Sequence, residues 1–545
     1  MLHDRPIEPE DLSLGGELLL SGGRTDQEER RIAWCKPEEE EHQGHDADDY
    51  REAGDCTTDQ GAKHGLNVEY AVLSARIAIL LLVATTSACG SSADRRGATV
   101  LFASGADLQS INPLLTVHPL ARQVQRYVLL TTLARYDSTL TPRPYLARRW
   151  EWSPDRTRLT FHLETTVRWH DGQPTTARDV AWTLDAARDP DTGYPRVNDL
   201  AELASVRTAD DSTVVLRFRS PQSGFPDLLT DLAILPAHLL DSIPHPSLRQ
   251  AAWNVTPVGN GPFRFVSHEP NRRWVFAADS TFPAALGGPP RLQRFTVVVV
   301  DEPTTKLAAL VSGELDFAGI QPAHAEFVRR DPNLEVVSYP LLMTYGIVFN
   351  TRRPPFNRLP LRRALSRAID RDELVEGYAY GFGTPAEGPV PPSAPSYLPI
   401  ATAGPGTSAP RTERIAFELL TVGSGEAALE QMVQARLRSA GFDLTIRQLE
   451  LSAFLARVYR SHDFDAAVVG TPGDLGLGYL APLAALAGIK APADPAAAQR
   501  LFADSLPVAF LYHARGLQGM NRRVHGVTMD LRGELPTVHD WWVGS

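Results

Sequence analysis

Tyr145-Leu-Ala-Arg-Arg-Trp150-Glu-Trp152-Ser-Pro-Asp155-Arg-Thr-Arg-Leu159-Thr-Phe161-His-Leu163-Glu-Thr-Thr-Val167-Arg-Trp169-His170-Asp171-Gly172-Gln-Pro174-Thr-Thr176-Ala-Arg-Asp179-Val180-Ala-Trp182 is the stretch whose reading decides the fold. Ser153-Pro154-Asp155 makes a turn, because Pro presets φ and Asp bonds its own backbone. Leu159, Phe161 and Leu163 alternate as the buried side of a strand. Asp171-Gly172 supplies a second turn. Thr176, with Asp179 three residues on, has capping-box spacing and opens a helix through Val180 and Trp182.

The order of these features resembles the signature of the extracytoplasmic solute-binding proteins of family 5, the peptide- and nickel-type receptors of ABC importers. Their pattern runs P-x-L-A-x-x-W, then S-x-D-x-x-x-x-T-F-x-L, then V-x-F/W-H-D-G-x-P-x-T-A-x-D-V. Here nearly every fixed position matches, with Trp169 where many members carry Phe. The resemblance extends from about residue 98 to the C-terminus. It implies an α/β fold of the type II periplasmic-binding-protein kind: two lobes with mixed sheets, joined by a hinge, and a small subdomain on lobe one.

At 545 residues the chain exceeds one compact core and allows two or three domains. The formal charge of −11 is concentrated at one end. Residues 1–70 hold 19 acidic and 7 basic residues, and the remainder holds 46 and 47. The body is therefore near neutral, and no basic stripe argues for nucleic acid.

Residues 1–70 are polar, acidic and without periodicity, which reads as disorder or as untranslated sequence. Arg76-Ile-Ala-Ile-Leu-Leu-Leu-Val follows within residues 71–89, too short an apolar run to span a bilayer but suited to a secretory signal. Ser87-Ala88-Cys89 resembles a lipoprotein signal box, with Thr86 in place of the usual Leu. That implies lipidation at Cys89, a membrane-anchored periplasmic or cell-surface protein, and a true start at Val68 or Val72; the alternative is an internal core helix. Cys35 and Cys56 lie in the leader, so the mature body has no pair for an internal disulfide and no Cys-rich metal site. His42, His45, Cys56 and His64 in the leader form a weak ligand set. Residues 90–97 read as a polar tether.

Further motifs extend the resemblance. Val258-Gly259-Asn260-Gly261-Pro262-Phe263 is similar to the family's V-G-T-G-P-Y crossing segment, and lacks the third Gly or the Lys-Ser/Thr of a nucleotide loop. Ser312-Gly313-Glu314-Leu315-Asp316 matches its x-G-E-L/I-D turn. Arg363-Ala-Leu365-Ser-Arg-Ala368-Ile369-Asp370-Arg371 is close to its R-x-A-L-x-x-A-I-D-R helix, with Asp370 and Arg371 expected to cap and pair. Leu361, Ala364, Leu365, Ala368 and Ile369 share one helical face. Residues 384–410 hold eight prolines and read as a long surface loop. Residues 414–449 read as strand, helix and parallel strand.

The expected organisation is lobe one at 98–340, with its subdomain near 138–205, lobe two at 341–507, and a return to lobe one at 508–545. The Ala/Pro-rich segment 481–498 and a short C-terminal reach suggest a reduced second lobe, with a smaller or more open pocket.

Candidate ligand contacts follow from the resemblance. Asp474 falls on the Asp that binds the α-ammonium in peptide-binding members; its alternative role is a helix cap. Thr471 stands where Trp usually gives an aromatic wall. Trp182 occupies a ligand-proximal Tyr position or else the core. Tyr345 sits at the lobe crossing. Asp107 contacts ligand or caps the next turn. The implied function is capture of a peptide-like solute by lobe closure for an ABC permease and ATPase, as a monomer without cofactor, metal or catalysis. The alternatives are a ligand-sensing or non-transporting binding protein and a secreted hydrolase. No Gly-x-Ser-x-Gly, zincin helix or available Cys supports the hydrolase. Nickel chelates, haem and sugars remain open as ligands.

Overall fold

Two strands carry the architecture: Leu334–Phe349 and Val508–Asn521 pair antiparallel along nearly their whole length. The computed structural model describes residues 97–116, 118–400, 414–423, 425–492 and 494–544. The expected leader, signal segment and Cys89 lie outside these residues, as does the tether before residue 97.

The strand pair sits mid-way in an 11-stranded mixed sheet. On one side run Ala466–Pro472, Ile415–Val422 and Phe442–Leu449; on the other run Phe317–Gly319, Thr99–Ser104, Arg294–Val299, Arg273–Ala278 and Phe263–Glu269. The short strand Gly383–Pro385 pairs with the second long strand at Tyr512–Ala514. Both faces of each half are covered, so alternation along a strand divides side chains between two cores rather than between core and water. Val100 and Phe102 enter one lobe-one core while Ala103 enters the other. In lobe two, Ile347 and Phe349 face one core and Val348 faces the opposite one.

The pairing of the long strands breaks between Pro340 and Thr344 and again between Tyr345 and Gly346. Such bulges bend a strand pair and concentrate twist. They fall where the chain leaves the lobe-one core at Tyr339 and enters the lobe-two core at Ile347. Val508 through Tyr512 still pack in lobe two, whereas Met520 packs in lobe one. The return expected from residue 508 therefore happens inside the strand, at the bulges.

The deciding stretch forms the hairpin Ala147–Trp152 and Arg158–Leu163, with Leu159, Phe161 and Leu163 buried. Thr176 and Asp179 make both halves of the capping box for the helix Ala177–Arg188. Thr213–Phe218 pairs with both Arg158–Leu163 and Leu203–Asp210. The small sheet thus continues past the expected boundary at 205, because this strand lies inside it.

Gly259-Asn260-Gly261 serves as a clasp and does not cross between lobes. The amides of Asn260 and Gly261 donate to the Leu129 carbonyl, and the Asn260 side chain holds Thr131 N and Thr175 Oγ1. His170 N donates to the Gly259 carbonyl, tying the signature hairpin to this turn. Asp316, fully buried, takes Arg523 at 2.7 and 2.8 Å and Leu101 N at 2.8 Å, joining the entry to Phe317–Gly319, the exit of Val508–Asn521 and the strand Thr99–Ser104.

Asp370 caps its helix as expected, accepting from Glu373 N at 3.0 Å. Arg371 instead donates to the carbonyls of Ala386 and Phe510, pinning the proline-rich segment to the second long strand. That segment is no plain surface loop, since Ala386, Val390 and Ala394 fill the lobe-two core; residues 401–413 lie outside the described set. The Ala-rich tail of lobe two forms the helices Leu480–Leu486 and Pro495–Ser505, with Leu483, Ala498 and Phe502 buried. Among the described residues, no helix is long and apolar enough to cross a membrane.

Candidate functional site

The strand Ala466–Pro472 runs beside the first crossing strand and delivers the turn Gly473–Gly478 to the lobe boundary. Asp474 is exposed there and accepts from Gly478 N at 3.2 Å, so it shapes its own glycine-rich turn. On the lobe-one side, Asp227 precedes the short helix Leu228–Asp231 and accepts from the Tyr136 hydroxyl. A β-carbon placed on Gly476 would lie 3.2 Å from Asp474 Oδ1 and 3.5 Å from Asp227 Oδ2. One carboxylate from each lobe therefore borders the same small volume.

Tyrosines flank both acids. Burial, then the neighbouring Asp227, pushes the Tyr136 phenol up; burial and then Asp474 do the same for Tyr479. Tyr479 donates to the Pro389 carbonyl at 3.0 Å. Apolar rings beside carboxylates suit an organic cation, which gains from both.

Behind Tyr479 the Pro389 carbonyl also receives the Thr344 hydroxyl, which meets His513 Nδ1 at 2.8 Å. This group sits on the crossing strands at the break in their pairing. His513 lines a cavity of about 230 Å³ together with Glu387, Pro389, Tyr397, Leu398 and Gln499. Burial lowers the imidazole to about 4, so it is neutral at neutral pH.

The expected contacts separate. Asp474 lies at the boundary. Thr471 pairs opposite Thr344 in the sheet, beside the His513 cluster. Tyr345 stacks on Tyr512 at 4.9 Å with an interplanar angle of 8°, and burial pushes its phenol up to about 12. It faces the opposite core from Thr344. Trp182 packs edge-on to His245 and onto the lobe-one core. Asp107 takes four donors: Trp274 Nε1 at 2.7 Å, Asn271 N at 2.6 Å, Gln109 N at 3.2 Å and His268 Nε2 at 3.2 Å. Those bonds fasten the loop after Thr99–Ser104 to the antiparallel pair Phe263–Glu269 and Arg273–Ala278, and the Gln109 amide among them is the turn-capping contact. Sequence reasoning missed Asp227, Tyr136, Tyr479 and His513. Only Tyr479 carried a signal, as an aromatic residue directly after a glycine-rich turn. Among the described residues, no group of three or more His, Cys, Asp or Glu is placed to hold a metal.

Two lobes on a continuous strand pair, with polar groups converging at their boundary, define the type II periplasmic binding fold. Solved structures share it. The oligopeptide-binding protein AppA of Bacillus subtilis, in complex with a nonapeptide, aligns with a TM-score of 0.68 at 20% identity, covering 82% of this chain and 99% of that one. The substrate-binding protein CtaP of Listeria monocytogenes aligns at 0.72 and 18%, covering 82% and 100%. A Brucella ovis protein named as an ABC transporter peptide-binding protein is 34% identical over 242 residues, 44% of this chain and 45% of its own. The dipeptide-binding protein of Escherichia coli K12 is 26% identical over 341 residues, 58% and 62% respectively. The matched region thus spans under two thirds of these relatives' length. The model for bacterial extracellular solute-binding proteins, family 5 Middle, matches residues 141–483. The chain belongs to that family of extracytoplasmic solute-binding proteins.

Proposed function

We propose that this chain is the capture component of an ABC importer, closing its lobes on a peptide-like solute through the solute's free ammonium. The supporting observation is the pair Asp227 and Asp474, one from each lobe, around Gly476. Two like charges facing across a boundary oppose its closure, and a cation between them reverses the sign. A ligand that touches both lobes binds the closed form better, and only such differential binding can drive the hinge. The crossing strands, with their broken pairing, are where the bending would fall. Relatives named as peptide-binding support the solute class. Tyr345 would act from a crossing strand, Thr471 from the strand beside it, and Trp182 from the subdomain helix. Delivery to a permease and ATPase, the monomeric state and anchoring through lipid on Cys89 belong to the same proposal; the anchor rests on the signal-like sequence alone.

Calorimetric titration with a short peptide and its N-acetylated twin tests the reading. The free peptide binds and the acetylated one binds far more weakly. Equal binding of the two, or none by either, removes the ammonium from the account.

A further inference from the structure

The cavity of about 230 Å³ beside His513 is walled mainly by apolar side chains, among them Pro385, Val390, Pro392 and Leu398. An apolar cavity of about 150 Å³ already takes a benzene ring, so this one has room for an aromatic side chain. Gln499 fixes one wall, accepting from Leu398 N at 3.1 Å and donating to the Ser396 carbonyl at 2.9 Å. Another wall adjoins the acidic boundary. Pro389 lines the cavity, and its carbonyl receives the Tyr479 hydroxyl at 3.0 Å. The Tyr479 ring in turn lies 3.1 Å from where a β-carbon on Gly473 would stand, one residue before Asp474. One aromatic ring thus separates the Asp474 turn from the cavity wall.

The hydrogens available fix what His513 offers to that space. The Thr344 hydroxyl lies 3.2 Å from the Pro389 carbonyl and 2.8 Å from His513 Nδ1. It has one hydrogen and the carbonyl has none, so both contacts are bonds only if the hydroxyl donates to Pro389 and accepts from Nδ1. The reverse choice sets oxygen lone pairs against each other. The imidazole proton is therefore on Nδ1, and Nε2 keeps its lone pair. Burial holds the ring neutral. Nε2 has no hydrogen-bond partner among the described residues, and the cavity is the space the ring lines. The charge of Glu387, on the same lining, is answered by Arg371. What the cavity lacks is a neutral donor for Nε2.

We propose that this cavity is a side-chain pocket of the binding site, taking an aromatic ring that carries one hydrogen-bond donor, with His513 Nε2 as the acceptor. It rests on the capture of a peptide-like solute proposed above and names the side chain selected: the phenol of a tyrosyl residue ahead of the bare ring of a phenylalanyl one. The phenol combines an apolar body with a polar tip, which is what these walls and this acceptor fit. The bare ring leaves a buried lone pair unmet, the costlier state. Discrimination built on such a bond exceeds that built on size alone.

Calorimetric titration of the full chain compares tyrosyl-alanine and alanyl-tyrosine with their phenylalanyl twins. In one of the two orders the tyrosyl peptide binds tighter by about tenfold or more. His513→Asn keeps a side-chain donor for Thr344 but lacks the second ring nitrogen, and brings that ratio to within about twofold. Ala503→Phe fills the cavity from the helix Pro495–Ser505 and lowers the affinity of the tyrosyl peptide relative to dialanine. It reads the pocket even if the His513 variant fails to fold. Equal binding of tyrosyl and phenylalanyl peptides in both orders, or a ratio that survives His513→Asn, overturns the proposal. So does a preference for a lysyl peptide over both, which assigns the cavity to Glu387. N-acetylated twins separate this result from the reading it rests on. Loss of the ammonium preference leaves the tyrosyl ratio intact, and loss of the tyrosyl ratio leaves the ammonium preference intact. Binding of no peptide at all overturns both.

Discussion

Asp227 of lobe one and Asp474 of lobe two border one point, 3.5 and 3.2 Å from where a β-carbon on Gly476 would stand. No glycine elsewhere in that turn brings acids of both lobes together in this way. On the function proposed above, closure depends on what lies between these carboxylates.

Asp474→Asn keeps the turn's shape and the acceptor for Gly478 N but removes the charge. Affinity for a peptide with a free ammonium falls roughly 10- to 100-fold, the scale of one charge-assisted contact. Affinity for the acetylated peptide stays within about twofold. Titration calorimetry separates the two, and an equal loss for both peptides points to a damaged turn.

Protonation of His513 opposes folding. Burial lowers its pKa from 6.5 to about 4, so above pH 6.5 neither state holds the proton and stability is full. Between about pH 6.5 and 4 only the unfolded state binds it, and stability drops with falling pH by about 1.4 kcal/mol per unit. His513→Gln flattens this part of the profile in urea unfolding measured across that range. A wild-type slope unchanged by the substitution contradicts the assignment.

Arg523→Met removes both guanidinium bonds, at 2.7 and 2.8 Å, from the fully buried Asp316 carboxylate. Breaking one partner of a buried pair costs about 3–5 kcal/mol. Denaturant unfolding measures the loss, and a change under about 1 kcal/mol shows that solvent reaches Asp316.

Gly261→Ala sets a β-carbon 2.6 Å from the Leu129 carbonyl carbon, a backbone atom that cannot swing away. The overpacking costs about 1–3 kcal/mol or more and loosens the signature hairpin, which His170 ties to the same turn. A proteolysis rate that rises within residues 147–172 checks it; an unaltered rate with unaltered stability refutes the clasp.

What the sequence disclosed follows from how local each signal is. The capping box of Thr176 and Asp179 and the alternation of Leu159, Phe161 and Leu163 are set by neighbours a few residues away, and both appear in the structure. The βαβ unit from Ile415 to Leu449 was legible for the same reason. The subdomain edge was harder, since Thr213–Phe218 is interior only through pairing on both sides. The proline-rich segment looked like surface because proline punctuates loops, yet small side chains at Ala386 and Ala394 let it pack inward. Asp227 and Asp474 meet across 247 positions of chain, and no local pattern marks Asp227 as facing anything.

Small-angle scattering during peptide titration tests hinge capture most directly. The account predicts that the radius of gyration falls as a free-ammonium peptide binds, and that Asp474→Asn or acetylation of the peptide abolishes the fall. Binding of the free peptide with no change in the radius of gyration would contradict it.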